Sequence, residues 1–168
     1  MRTVQTTLRQ GYQVASGLSQ ENPALSQGTI RMQLPFFKEQ GLDIDAYFEG
    51  NFRYATLNLS IAPCRFTIGQ TSYYLEQVKW TDLSPPENFF FSPAQLRFKG
   101  RTYKALLYIP DPKTKPDCHQ GADILEVIAN EIPDVTYGDK IDLLYTPEEI
   151  LIVAPDAIPK KQNDERTI

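Results

Sequence analysis

Two apolar alternations meet across a single Lys99-Gly100 step. Ala94, Leu96 and Phe98 recur at every second position on one side, and Tyr103, Ala105, Leu107 and Ile109 do so on the other. A period of two puts each set on one face of a strand. A two-residue, glycine-containing step between such runs is a hairpin signal. A chain with this pattern at its centre is committed to antiparallel β-structure there, and its remaining elements must pack against that pair.

The rest of the chain supplies them in short pieces. Phe52 to Ile61 is the clearest single alternation: Leu57, Leu59 and Ile61 share one face, and Thr56, Asn58 and Ser60 share the other. Those three aliphatic residues are expected to point inward together. Gly11 to Gly17, Tyr73 to Trp80, Ile141 to Tyr145 and Ile150 to Val153 read as further strands. Thr29 to Leu34 does so too, because Ile30, Met32 and Leu34 alternate. Ile124 to Ala129 is a mostly apolar run that suits a strand buried on both faces, although a helix is compatible with the same composition. Pro35 to Gly41 suits one or two helical turns, ended by glycine. Thirteen prolines favour turns over long helices, and nine Phe with nine Tyr suit pleated, half-buried surfaces. Gly17 to Gly28 is polar and is expected to form an exposed, mobile loop. Pro110 to Gly121 is a second long polar loop. Several short strands separated by turn signals imply a small barrel or sandwich. The expected organisation is an N-terminal extension over residues 1–10, one β-domain over 11–154 and a polar tail over 155–168.

At 168 residues the chain has the length of one domain with a real core. Its net charge of −4 carries no global basic footprint, so nucleic acid is not expected as a partner. There is no apolar run long enough for a membrane helix, and Met1 to Gln10 has no apolar secretory segment. Cys64 and Cys118 are too few for a disulfide framework and lack zinc-ligand spacing. The expected setting is cytoplasmic. No Walker loop, nucleophile elbow or dinucleotide fingerprint is present.

Four segments, in order, resemble the archaeal-type CTP-dependent riboflavin kinases. Gly11-Tyr-Gln-Val-Ala-Ser-Gly-Leu18 is similar to that family's first strand entering its nucleotide loop. Leu34-Pro-Phe-Phe-Lys-Glu39 resembles its Leu-Pro-x-Tyr-x-Glu segment. Glu49-Gly50 followed by Thr56-Leu-Asn-Leu59 resembles its Glu-Gly-Thr-Leu-Asn-Leu signature. His119, Ile124-Leu-Glu-Val-Ile-Ala129 and Tyr137-Gly-Asp-Lys140 resemble its closing pattern. The resemblance spans roughly Gly11 to Leu143. It implies a six-stranded cradle-loop barrel with one or two short helices, and a small-molecule ligand that is a nucleotide or a flavin. Two departures accompany it. The family's compact glycine loop is replaced by a longer one carrying Glu21, and Asn51 to Ala55 is inserted ahead of Thr56.

The resemblance assigns candidate roles. Thr56 and Asn58 would bind Mg²⁺, since residues i and i+2 on a strand present two neutral oxygens to one side. In a plain alternating strand they would simply form its polar outer face. Ser16, Gly17, Leu18 and Gly28 would belong to the phosphate loop, where glycine permits close approach. The bland alternative is loop punctuation. His119 would be an acid–base or phosphate contact, or merely a lone surface histidine. Glu126, a carboxylate inside an apolar run, must be paired or face a polar cavity. It would lie near the substrate, unless it faces outward on the sheet. Phe89-Phe-Phe91 and Trp80 could stack on a flat ring, though a triple Phe more commonly belongs to a core. The altered glycine loop favours a divergent module that binds a small ligand or a protein and has lost or changed the kinase site. The retained Thr-Leu-Asn favours an active CTP-dependent kinase making FMN.

Overall fold

A computed structural model of the chain describes residues 1–11, 29–114 and 121–157. Among the described residues, nine strands and two short α-helices are arranged as β1 (Arg2–Arg9), α1 (Thr29–Glu39), α2 (Ile44–Phe48), β2 (Leu57–Ser60), β3 (Arg65–Ile68), β4 (Tyr73–Val78), β5 (Glu87–Phe98), β6 (Arg101–Pro110), β7 (Ile124–Ala129), β8 (Lys140–Tyr145) and β9 (Ile150–Val153). The main sheet runs β4-β5-β6-β7-β2-β1-β8 and closes through β5–β8. Six strands, all antiparallel, therefore form a closed barrel. Closure removes the free strand edges that an open sheet would expose. The expected small six-stranded barrel with few helices is the architecture found.

The central hairpin is β5–β6, paired from Phe98↔Arg101 to Phe89↔Pro110. Lys99 (φ 51°) and Gly100 (φ 76°) both take the positive φ that a two-residue type I′ turn demands. The period of two sorts the core. Ala94, Leu96, Ala105, Leu107 and Ile109 face the barrel interior with Leu59, Leu125, Val127 and Leu143, all buried. Leu57, Leu59 and Ile61 do point into this one core, as the alternation requires. The ribbon β3–β9 adds Phe66, Ile68, Ile150 and Ile152 to it.

The opposite face of β5, β6 and β7 carries a second core, covered by the helices. Phe37 of α1 has no exposed surface and lies edge-on to Phe89 and Phe91, with ring centroids at 5.0 and 5.1 Å. Truncating such a ring costs about 3–5 kcal/mol. This is why Phe89 and Phe91 are core residues and not a stacking platform. Trp80 is likewise buried, its Nε1 donating to Glu87 Oε2 at 2.8 Å.

Two expectations are corrected. Thr29 to Leu34 is the start of α1, not a strand: its buried residues are Thr29, Ile30, Gln33 and Phe37, which is helical spacing. Six residues are too few to separate the two periods. Pro35, which removes one helical hydrogen bond, adds a local signal against a helix. The helix stops at Gly41 (φ 99°), where Gly41 N–H bonds Lys38 O and Leu42 N–H bonds Phe37 O. That is a Schellman ending. The second correction is that Arg2–Arg9 is no extension ahead of the barrel. It is barrel strand β1, paired with both β2 and β8. Its residues alternate Val4, Thr6 and Leu8 inward, and the Thr6 hydroxyl is reconciled with burial by donating to Ile141 O at 2.7 Å.

Candidate functional site

The hydroxyl Oγ1 of Thr56 donates to Glu126 Oε1 at 3.1 Å, across 70 positions of sequence. The β2–β7 pairing makes this contact: Asn58 stands directly opposite Glu126, flanked by Leu57↔Val127 and Leu59↔Leu125. Because those aliphatic neighbours turn into the barrel, Thr56, Asn58 and Glu126 turn outward onto the same side. Three of the side chains singled out in the sequence thus converge on one patch of the barrel's outer face.

The patch is built, not merely exposed. Asn58 is buried, Thr56 and Glu126 are half-buried. Gly11 lies against the Asn58 carboxamide so closely that a methyl group at position 11 would overlap it. Glycine is required there because only a bare backbone fits. Asn58 and Glu126 each make further interactions. They are held in place, which is what a binding site needs from its polar groups.

The same outward row continues in both directions. On one side Arg9 of β1 stands opposite Asn58. On the other, the β6–β7 pairing (Leu107↔Val127) puts Tyr108 next to Glu126 at the following position. Tyr108 is buried, and its hydroxyl donates to Gln33 Oε1 of α1 at 2.9 Å. Burial pushes the Tyr108 phenol well above its usual range, and the carboxylates of Glu126 and Glu87 push it further the same way. Tyr108 is therefore a fixed neutral donor. It ties α1 to the barrel wall beside Glu126.

The Asn51 to Ala55 insertion is anchored toward the helices. Phe52 is buried in the second core and stacks on Phe48 at 5.3 Å. Asn130 Nδ2 donates to Asn51 O at 2.7 Å, and the guanidinium of Arg31 lies 4.1 Å from the Tyr54 ring centre. Tyr54 also borders a groove of about 430 Å³ between α1 and α2, whose other walls include Arg31, Leu34 and Ile44. The insertion thus links this groove to Thr56, two residues on.

Ser16, Gly17, Leu18, Gly28 and His119 lie outside the described residues, as do the whole Gly17 to Gly28 loop and the tail beyond Ala157. Among the described residues no cluster of three or more His, Cys, Asp or Glu side chains forms a metal centre, and Cys64 is a free thiol. The Thr56–Asn58–Glu126 patch offers a hard cation one carboxylate and two neutral oxygens. No helix among the described residues is long and apolar enough to cross a membrane. The sequence reading missed Arg9, Gln33 and Tyr108. Gln33 carried the one available signal: a polar residue on the buried side of an amphipathic helix must have a partner.

No family model matches this chain, and no curated protein is similar to it.

Proposed function

We propose that the outer face of β1, β2 and β7 is a cation-assisted binding site for a small phosphorylated ligand, a nucleotide or a flavin. The chain is read as a cytoplasmic, divergent riboflavin-kinase-like barrel whose kinase step is lost or altered. The observation that carries this reading is the meeting of Thr56, Asn58 and Glu126. Mg²⁺ is held by oxygen donors, commonly one or two carboxylates completed by water and by the phosphates of the ligand. One carboxylate, one amide and one hydroxyl are a weak cage for the bare ion. They suit an ion that arrives with phosphate oxygens of its own. The groove beside Tyr54 has the size of small-molecule sites and would take the ligand's ring system.

An active CTP-dependent riboflavin kinase is the second reading, favoured by the position of Glu126 beside Thr56. A terminal ribityl hydroxyl would attack the γ-phosphorus of CTP. The new O–P bond forms as the bond to the departing CDP breaks, and the hydroxyl proton passes to the Glu126 carboxylate.

The test is calorimetric titration of CTP, ATP and FMN with and without Mg²⁺, alongside an assay of FMN formation from riboflavin. Mg²⁺-dependent binding of at least one of these, weakened about tenfold or more in Thr56→Ala, is the expected result. Absence of Mg²⁺-dependent binding to all three would overturn the site. FMN formation by the wild type would replace the binding-module reading with the kinase.

A further inference from the structure

We infer that Arg9 is the anion-binding residue of this site, clamping a phosphoryl group shared with the cation held by Thr56, Asn58 and Glu126. The inference rests on the binding reading above. Leu8 is buried in the barrel, so the period of two turns Arg9 outward. Its register partner is Asn58, whose own partner across the next strand is Glu126. Side chains directly opposite in an antiparallel pair have Cβ atoms about 5 Å apart. A guanidinium on Arg9 therefore starts one strand away from the amide and two strands away from the carboxylate.

Arg9 is also uncommitted. Its side chain is exposed, and among the described residues it makes no hydrogen bond, ion pair or ring contact. On its β8 side the nearby carboxylate of Asp139 is already engaged, accepting from Thr136 N at 2.9 Å and from Thr136 Oγ1 at 3.3 Å. Lys140, the other cation on that side, donates to Thr7 Oγ1 at 2.7 Å. Among the described residues Arg9 is left with its planar donor fork free beside a built oxygen cluster. That fork matches two phosphate oxygens at once. A diphosphate bridging the cation and Arg9 would have its charge offset from both sides, and without Arg9 the Glu126 carboxylate would repel it.

The experiment uses the full chain, wild type, Arg9→Ala, Arg9→Lys and Thr56→Ala. Inorganic pyrophosphate and CTP are titrated calorimetrically in Mg²⁺, and Mn²⁺ alone is followed by electron paramagnetic resonance. Arg9→Ala should weaken both phosphate ligands about tenfold or more, with partial recovery in Arg9→Lys. It should leave Mn²⁺ binding at least as tight as in the wild type, and its unliganded melting temperature unchanged because the side chain is exposed. Thr56→Ala should lose Mn²⁺ as well. Tighter binding of CTP than pyrophosphate would identify a nucleotide as the source of the diphosphate, and equal affinities the inorganic ion. Undiminished phosphate binding by Arg9→Ala overturns the role of Arg9 while leaving the site intact. Mn²⁺ binding with no phosphate ligand retains the cation site and overturns the clamp. A wild type that binds neither overturns both.

Discussion

The side chain of Gln40 pairs with the backbone of Glu76 as a neighbouring strand would: its Nε2 donates to the Glu76 carbonyl at 2.9 Å, and its Oε1 accepts from the Glu76 N–H at 3.1 Å. Glu76 lies on β4, which among the described residues pairs with β5 alone and so leaves one edge outside the closed barrel. Beside it Gln77 (φ 54°) interrupts the regular pairing between Leu75 and Val78. At the start of β4, Glu149 Oε1 accepts from Ser72 N–H at 2.6 Å. This edge of β4 is therefore capped by side chains at Ser72 and Glu76 and bulged between Leu75 and Val78, which are devices that stop a sheet from recruiting another.

Gln40→Ala should uncover that edge. The expected stability loss is small, about 1 kcal/mol, because the bonds are solvent-exposed. The larger effect should be concentration-dependent association. Light scattering on heated samples of matched concentration measures it, and an unchanged scattering onset would show that Gln40 has no protective role.

Gly11→Ala should act on the site while sparing the fold. The added methyl overlaps the Asn58 carboxamide, so that side chain must move. The interior faces of β1 and β2 are untouched, and a stability loss of about 1 kcal/mol is expected. Affinity for the Mg²⁺-bound phosphate ligand should fall about tenfold or more, read by the same calorimetric titration. Wild-type affinity in Gly11→Ala would mean that the position of Asn58 does not matter to binding.

Tyr108 and Tyr47 make the protein sensitive to alkali. The Tyr47 phenol is pushed up to about 12, chiefly by burial, and its hydroxyl donates to Ala105 O at 2.7 Å. Tyr108 lies well above 10.0. In the unfolded chain both ionise near the ordinary value of 10.0. The unfolded state therefore loses its protons first, and stability present below that pH declines as the pH rises through the folded values. Tyr108→Phe should lower the melting temperature at neutral pH, since Gln33 loses its donor at a cost of about 1–3 kcal/mol. It should also flatten the decline above pH 10. Melting curves from pH 7 to 12 test both, and an equally steep alkaline decline in Tyr108→Phe would remove Tyr108 as its source.

Much of the barrel was legible because strand signals are local. The Ala94–Ile109 hairpin needs only a period of two and a turn with positive φ, and both are written in consecutive residues. The inward set of Leu57, Leu59 and Ile61 follows from the same period. Helix α1 was not legible over Thr29 to Leu34, since Ile30 and Leu34 satisfy both periods and Met32 happens to complete the wrong one. What settles it is the barrel wall, which offers Phe89 and Phe91 to Phe37 and Tyr108 to Gln33. Strand β1 was invisible for a related reason. Arg2–Arg9 is mostly polar and becomes a strand by pairing on both sides, with Thr6 opposite Ile141 and Leu8 opposite Leu59. The site divides the same way. The residue types, and the shared outward face of Thr56 and Asn58, were determined by the sequence alone; the outward direction of Glu126 was settled by the β2–β7 pairing. Their meeting, and the presence of Arg9 and Tyr108 in the same row, were decided by the order and register of β1, β2, β7 and β6. Such pairing joins residues far apart in the chain, and no local pattern encodes it.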